Sequence, residues 1–281
     1  MNATRWQVGG NVVDLTNRAL IMGVLNVTPD SFSDGREFFA TEAAVKHGLE
    51  MAESGAEIID IGGESTRPGA PPVSPNDEME RVLPVIEQLA RATRAHLSID
   101  TSKAVVARAA LAAGASVIND VTGGRGDPEM FALAAEKRAA LIIMHMQGTP
   151  ETMQLNPSYD DVVREVADFF RQQFAQAVRL GLDPMCIAFD PGIGFGKTVA
   201  HNLELLAHLP RLRIDDRPLV LGVSRKSFLG KITGAPGDRA SATIAMTSLL
   251  RERGANVLRV HDVAANAHAL RATETLLAVT Q

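Results

Sequence analysis

The chain has 281 residues, of which 46% are hydrophobic and 22% charged; these are ordinary values for a folded protein and exclude a disordered or collagen-like one. The formal net charge of −5 argues against nucleic-acid binding through bulk charge, and the single cysteine, Cys186, excludes an intrachain disulfide and a cysteine-rich metal site. No apolar run approaches the ~20 residues of a spanning helix and Met1–Gly10 lacks the apolar core of a leader, so a soluble, cytoplasmic protein without nucleic-acid or membrane partners is expected.

After an N-terminal extension or hairpin over residues 1–18, predicted strands and helices alternate. Leu20–Val27 precedes Thr41–Ser54, Glu57–Ile61 precedes Asp77–Ala95, and His96–Ile99 precedes Ala104–Ala113. Ala115–Ile118 leads to Pro128–Lys137, Ala140–Met144 to Ser158–Leu180, and Met185–Phe189 to Ala200–Leu209. Pro218–Val223 and Ala240–Arg253, then Asn256–Val260 and Ala264–Thr280, complete the series. Continuous apolar runs, rather than alternating ones, suit strands buried on both faces of a parallel sheet. Gly55, Gly114, Gly181 and Gly254 fall where helices should end, and the phrases GAEIID, GASVIND and GANVLRV repeat as the chain returns from helix to strand. Eight such units predict one α/β domain over residues 1–281, a (β/α)8 barrel; an open doubly wound sheet shares the same alternation.

The distribution of polar residues is more specific. The predicted strands end, in order, in Asn26, Asp60, Asp100, Asn119-Asp120, Met144-His145, Asp190, Ser224-Arg225-Lys226, and Arg259 with His261. A single acid after a strand is usually a helix cap or turn residue, but capping does not account for eight polar strand ends. In a barrel these ends converge on one mouth, where such enzymes place their chemistry. Asp100, Asn119 and Asp190 supply acceptors and an amide donor suited to a flat heterocycle, and Lys226 could donate to a ring carbonyl. Arg67, Arg259 and His261 supply cations for an anionic group at the rim. The connections Asn26–Thr41 and Gly62–Asn76 are long and rich in Gly, Pro, Ser and Thr, as binding loops and lids often are.

Asp190-Pro-Gly-Ile-Gly-Phe-Gly-Lys-Thr198 superficially resembles a phosphate loop. The pattern G-x-x-x-x-G-K-[ST] would need Gly at position 191, which is Pro, so a nucleotide triphosphatase is not indicated. That loop is expected to position Phe195. Cys186 is expected to pack in its strand, and His47, His201, His208 and His268 lie on helical segments as surface or capping groups.

The blocks MGVLNVTPDSFSDG (22–35), DIGGESTRPGA (60–70), SIDTSK (98–103), INDVTGG (118–124), FDPGIGFGKT (189–198), VSRKSF (223–228) and RVHDV (259–263) together resemble the dihydropteroate synthase family of pterin-binding barrels. Arg36 departs from the pattern, which often has a second Gly after Gly35. The resemblance implies a folate-biosynthesis transferase. It condenses 6-hydroxymethyl-7,8-dihydropterin diphosphate with p-aminobenzoate to give 7,8-dihydropteroate and pyrophosphate, by SN1-like displacement.

It further implies Asp100, Asn119, Met144, Asp190, Lys226 and Arg259 around the pterin, and Asn26, Thr66, Arg67, Arg259 and His261 at the diphosphate. Pro68, Phe195, Lys226 and Ser227 fall on the p-aminobenzoate side, which sulfonamides mimic, and Asp34 helps order the closed site. Asp100, Lys226, Arg259, His261 and Asp34 are the implied catalytic set. Mg²⁺ at Asn26 and a homodimer are also implied. A pterin-dependent methyltransferase barrel and a non-catalytic pterin-binding subunit are the alternatives.

Overall fold

A computed structural model describes residues 3–28, 37–65, 70–149, 152–235 and 237–279. The hairpin β1 (Arg5–Val8) and β2 (Asn11–Asp14) comes first, followed by β3 (Leu20–Asn26), α1 (Glu37–Glu53), β4 (Ile58–Gly62), α2 (Pro75–Ala92), β5 (His96–Asp100) and α3 (Ala104–Ala113). Next come β6 (Val117–Asp120), α4 (Met130–Lys137), β7 (Ala140–Met144), α5 (Val162–Arg179), β8 (Ile187–Asp190) and α6 (Val199–Ala207). The chain ends with β9 (Val220–Leu221), α7 (Ser227–Thr233), α8 (Ala240–Glu252), β10 (Val257–Val260) and α9 (Val263–Val279).

The eight strands from β3 to β10 are parallel, in the order β8-β7-β6-β5-β4-β3-β10-β9. A parallel bridge between Phe189 and Leu219, with Phe189 N–H donating to Pro218 O at 2.9 Å, joins β8 to the start of β9 and closes the barrel. This closure rejects the open-sheet alternative.

Every barrel strand buries both faces, which is why its sequence reads as a continuous apolar run. Ile59, Ile61, Leu97, Ile99, Leu141, Ile143, Ile187 and Phe189 face the helices, in one core. Leu20, Met22, Ile58, Val117, Ile142, Ala188, Val220 and Val257 face the lumen. Trp6, Val8 and Leu15 pack against that lumen cluster, so the hairpin plugs the N-terminal end of the barrel. Trp6 is fully buried and its Nε1 donates to Cys186 O at 3.0 Å.

Several boundaries differ from the sequence expectation for local reasons. The strand expected over Pro218–Val223 contracts to two residues. Pro218 has no N–H to give a ladder. Met185 and Cys186 lie in a 3₁₀ turn, Pro184–Cys186, whose start is capped by Asp183 Oδ1 accepting from Met185 N–H at 2.8 Å. Cys186 is therefore buried before β8 rather than within it. The helix expected from Ser158 starts at Val162 because Asp161 caps it, accepting from Arg164 N–H at 2.9 Å. The additional helix α7 was not expected.

Candidate active site

Along each strand, alternate residues point into the lumen, and near the C-terminal ends the lumen-facing residues change from apolar to polar. Ile58 is followed two residues on by Asp60, Val117 by Asn119, Ala188 by Asp190 and Val257 by Arg259. Strand register sets their levels: Asp60 lies beside Ser98, whereas Asp100 lies one step higher, beside Asn119.

Arg259 occupies the centre of the floor. Its Nε donates to Asp60 Oδ2 at 2.6 Å and an Nη to Asp100 Oδ2 at 2.8 Å. Asp60 Oδ2 also accepts from Asn119 Nδ2 at 3.0 Å. Asp60 is wholly buried, and its Oδ1, like Asp100 Oδ1, has no donor among the described residues. The opposite wall is apolar: Val121 and Met144 belong to a small buried cluster with Met146 and Met153, and Phe195 packs against it. Lys226 Nζ lies 4.4 Å from the Phe195 ring centroid, a cation–π contact, and donates to Ile193 O. Asp190, nearly buried, accepts from Gly192 N–H at 2.7 Å. Together Asp100, Asn119, Val121, Met144, Asp190, Phe195, Gly222, Lys226 and Arg259 line one cleft open to solvent. A slot with a polar floor and an apolar wall suits a flat ring with hydrogen-bonding edges.

The electrostatics of the slot follow from burial and like charge. Burial, together with the Asp60 carboxylate, raises the Asp100 carboxyl to about 7 against the pull of Arg259. Burial likewise raises Asp190, with Lys226 opposing. Lys226 is lowered by burial to about 8, with Asp190 opposing. Burial disfavours the Arg259 cation, but Asp60 and Asp100 outweigh it and hold the guanidinium firmly charged.

Seven of the expected residues thus face one cleft. Of the others, Asn26 is exposed at the end of β3, and Ser227 is exposed at the first position of α7. His261 follows β10, with its N–H donating to Ser224 Oγ at 3.1 Å and its Nδ1 2.9 Å from the same oxygen. Arg259 corrects an expectation: it lies in the floor between two acids, not at the rim. Asp34, Thr66, Arg67 and Pro68 lie outside the described residues.

Sequence reasoning passed over two features. Asp60 was visible as a strand end, but its role as the common acceptor for Arg259 and Asn119 depends on register. The other is the buried pair His145 and Lys197, whose Nδ1 and Nζ lie 3.0 Å apart although the residues are 52 positions apart in sequence; no spacing rule links them.

The family model described as pterin binding enzyme matches residues 22–261. The chain is 45% identical over 271 residues to the dihydropteroate synthase of Synechocystis sp., covering 96% of this chain and 94% of that one. It is similar to the solved dihydropteroate synthase of Xanthomonas albilineans with 4-aminobenzoic acid, at a TM-score of 0.91 and 46% identity over 99% of both chains. A structure from the same organism in complex with 7,8-dihydropteroate gives a TM-score of 0.87 and 44% identity, covering 98% of this chain and 99% of that one.

Proposed function

The chain belongs to the pterin binding enzyme family, and on that footing we propose that it condenses 6-hydroxymethyl-7,8-dihydropterin diphosphate with p-aminobenzoate, releasing 7,8-dihydropteroate and pyrophosphate. The observation that carries the reading is the convergence of Asp100, Asn119, Asp190, Lys226 and Arg259, from five separate strand ends, on one slot. The relatives' names and the ligands in the Xanthomonas albilineans structures point the same way.

The pterin lies flat in the slot, against Met144 and the Arg259 guanidinium. Its ring N–H and amino groups donate to Asp100, Asp190 and the Asn119 carbonyl, and Lys226 donates to the ring carbonyl. Asp100, which lines the cleft, is one of the acceptors this pose uses. An aryl amine is a weak nucleophile, so most of the barrier is lowered by assisting departure of the diphosphate. His261, Thr66, Arg67 and the remaining edge of Arg259 receive the charge that develops there. Asp100 and Asp190 stabilise the positive charge left on the pterin methylene once its bond to the diphosphate oxygen breaks; the amine then attacks that carbon, and the ammonium formed gives up one proton to the released pyrophosphate or to water. The displacement is SN1-like and forms no covalent bond to the protein. Pro68, Phe195, Lys226 and Ser227 flank p-aminobenzoate, the position a sulfonamide would compete for, and Asp34 orders the closed site.

Mg²⁺ fits Asn26 in a limited sense. The side chain is exposed at the mouth, and no group of three His, Cys, Asp or Glu among the described residues forms a cage. One amide oxygen suits an ion that arrives with phosphate oxygens and keeps its own water. When bound, it would neutralise charge on the departing diphosphate. We further propose a cytoplasmic homodimer; among the described residues no helix is long and apolar enough to cross a membrane.

The test is a coupled pyrophosphate assay with both substrates, with and without Mg²⁺. Release that requires p-aminobenzoate supports the reading. Absence of pyrophosphate would favour the methyltransferase or non-catalytic alternatives, neither of which expels a diphosphate.

A further inference from the structure

Between β8 and α6 the chain passes along the cleft, and four consecutive carbonyls each accept from a different side chain. Lys226 Nζ donates to Ile193 O, Gln154 Nε2 to Gly194 O at 2.7 Å, Lys197 Nζ to Phe195 O at 2.9 Å and Tyr159 Oη to Gly196 O at 2.8 Å. The segment also presses against the loop after β7. A Cβ at Gly192, where φ is +63°, would fall on His145 O, and one at Gly196, where φ is +64°, would lie 2.6 Å from Gln147 O. Only glycine permits that approach.

Among these donors, Lys197 is the one buried to 3% exposure. Its other two contacts run to the neighbouring strand end, His145 Nδ1 at 3.0 Å and His145 O at 3.3 Å. Lys197 Nζ thus meets three polar atoms and ties the loop after β8 to the loop after β7. All three are neutral, because burial, reinforced by Lys197 and Arg125, lowers His145 to about 2. A buried ammonium held only by neutral partners is costly, and burial lowers Lys197 itself to about 7, with Asp190 opposing. Residue 195, whose carbonyl Lys197 holds, places its ring in the cleft wall beneath Lys226.

We propose that Lys197 is a positioning residue: by holding Phe195 O it fixes the aromatic wall on the p-aminobenzoate side, and so sets affinity for the aryl amine and not for the pterin. This rests on the condensation reading given above.

The experiment compares the unaltered protein with Lys197→Met, which keeps the apolar stem and removes all three donors. KM is measured for each substrate by pyrophosphate release. The KM for p-aminobenzoate is expected to rise at least about tenfold, the loss of one or two ordinary hydrogen bonds, while the KM for the pterin diphosphate stays within about twofold. An unchanged KM for p-aminobenzoate would overturn the proposal, and so would an equal rise in both, which marks a general loosening of the mouth. If Lys197→Met does not fold, Lys197→Gln, which keeps one amide donor in place of the amine, should raise the p-aminobenzoate KM by about threefold; no rise overturns the proposal. An unaltered protein that releases no pyrophosphate removes the condensation reading and this proposal with it. An active one with unmoved KM values removes this proposal alone.

Discussion

Asp60 is the group through which the floor of the slot is most directly tested, because it contacts two site residues from below. Replacing it by Asn keeps the shape and removes the charge. The amide can turn its oxygen toward Arg259 Nε and Asn119 Nδ2, now 2.6 and 3.0 Å away, and its NH2 then takes the buried position of Oδ1, which has no hydrogen-bond partner among the described residues. Arg259 keeps its bond to Asp100, so the loss is that of one charge-assisted hydrogen bond, roughly 1.5–3 kcal/mol. If that loss falls on the transition state, kcat/KM drops by about one to two decades. A second consequence is independent of the first. The Asp60 carboxylate is, after burial, the largest influence raising Asp100. Removing it lowers Asp100 below about 7, so the acid limb of the kcat/KM profile moves to lower pH. The assay is pyrophosphate release across pH 5 to 9 for both proteins, with thermal unfolding run in parallel. An acid limb that stays in place in a folded variant would refute the electrostatic reasoning, whatever the rate loss.

For the unaltered protein, kcat/KM for the pterin substrate is expected to rise through about 7 as Asp100 ionises and to fall through about 8 as Lys226 loses its proton, changing about tenfold per pH unit outside those limits; a flat profile from pH 5 to 9 would contradict both assignments. Asp190→Ala removes an acceptor and the anchor of Gly192 N–H, and calorimetry should find pterin binding abolished; near-normal affinity would remove Asp190 from the site. Lys226→Ala loses the bond to Ile193 O and the charge above Phe195. It should cost about one to two decades of kcat/KM with secondary structure intact by circular dichroism, and a wild-type rate would exclude a role. Trp6→Ala, at the opposite end of the barrel, should cost about 3–5 kcal/mol in urea unfolding while leaving kcat per folded molecule unchanged; a loss under about 1 kcal/mol would mean that the hairpin is no plug.

The parts of this architecture readable in the sequence are those fixed by local rules. Ala140 to Met144 declares itself because a parallel strand with two buried faces is apolar along its length, and Ile58 to Gly62 does so despite its one acid, Asp60. The first polar lumen-facing residue is therefore visible as the point where the apolar run stops, which is how Asp100, Asn119, Asp190 and Arg259 could be chosen together. Depth was not readable. Asp60 and Asp100 each follow an isoleucine near a strand end, yet register sets Asp60 beside Ser98 and Asp100 beside Asn119, and only the lower acid is wholly buried. Arg259 was misjudged as a rim cation for the same reason, since its level depends on pairing with Met22 of β3. Helix α7 was missed because seven residues beginning at Ser227 carry too short an apolar period to stand out.

The placement of Arg259 also constrains the order of events in the slot. With Nε committed to Asp60 and one Nη to Asp100, the guanidinium compensates two acids before any substrate is bound. Abandoning them to follow a diphosphate would leave buried carboxylates uncompensated, at roughly 3–5 kcal/mol for a broken buried pair. In the proposed reaction Arg259 therefore remains in the floor throughout, with only its remaining edge left for the anion. In the proposed reaction the main share of leaving-group stabilisation then passes to other groups, His261 among them. A consequence follows for substitutions: removing Arg259 should unbalance Asp60 and Asp100 and damage pterin affinity, whereas removing His261 should lower turnover while sparing it. Equal effects of the two on pterin binding would mean that floor and rim are not separate in function.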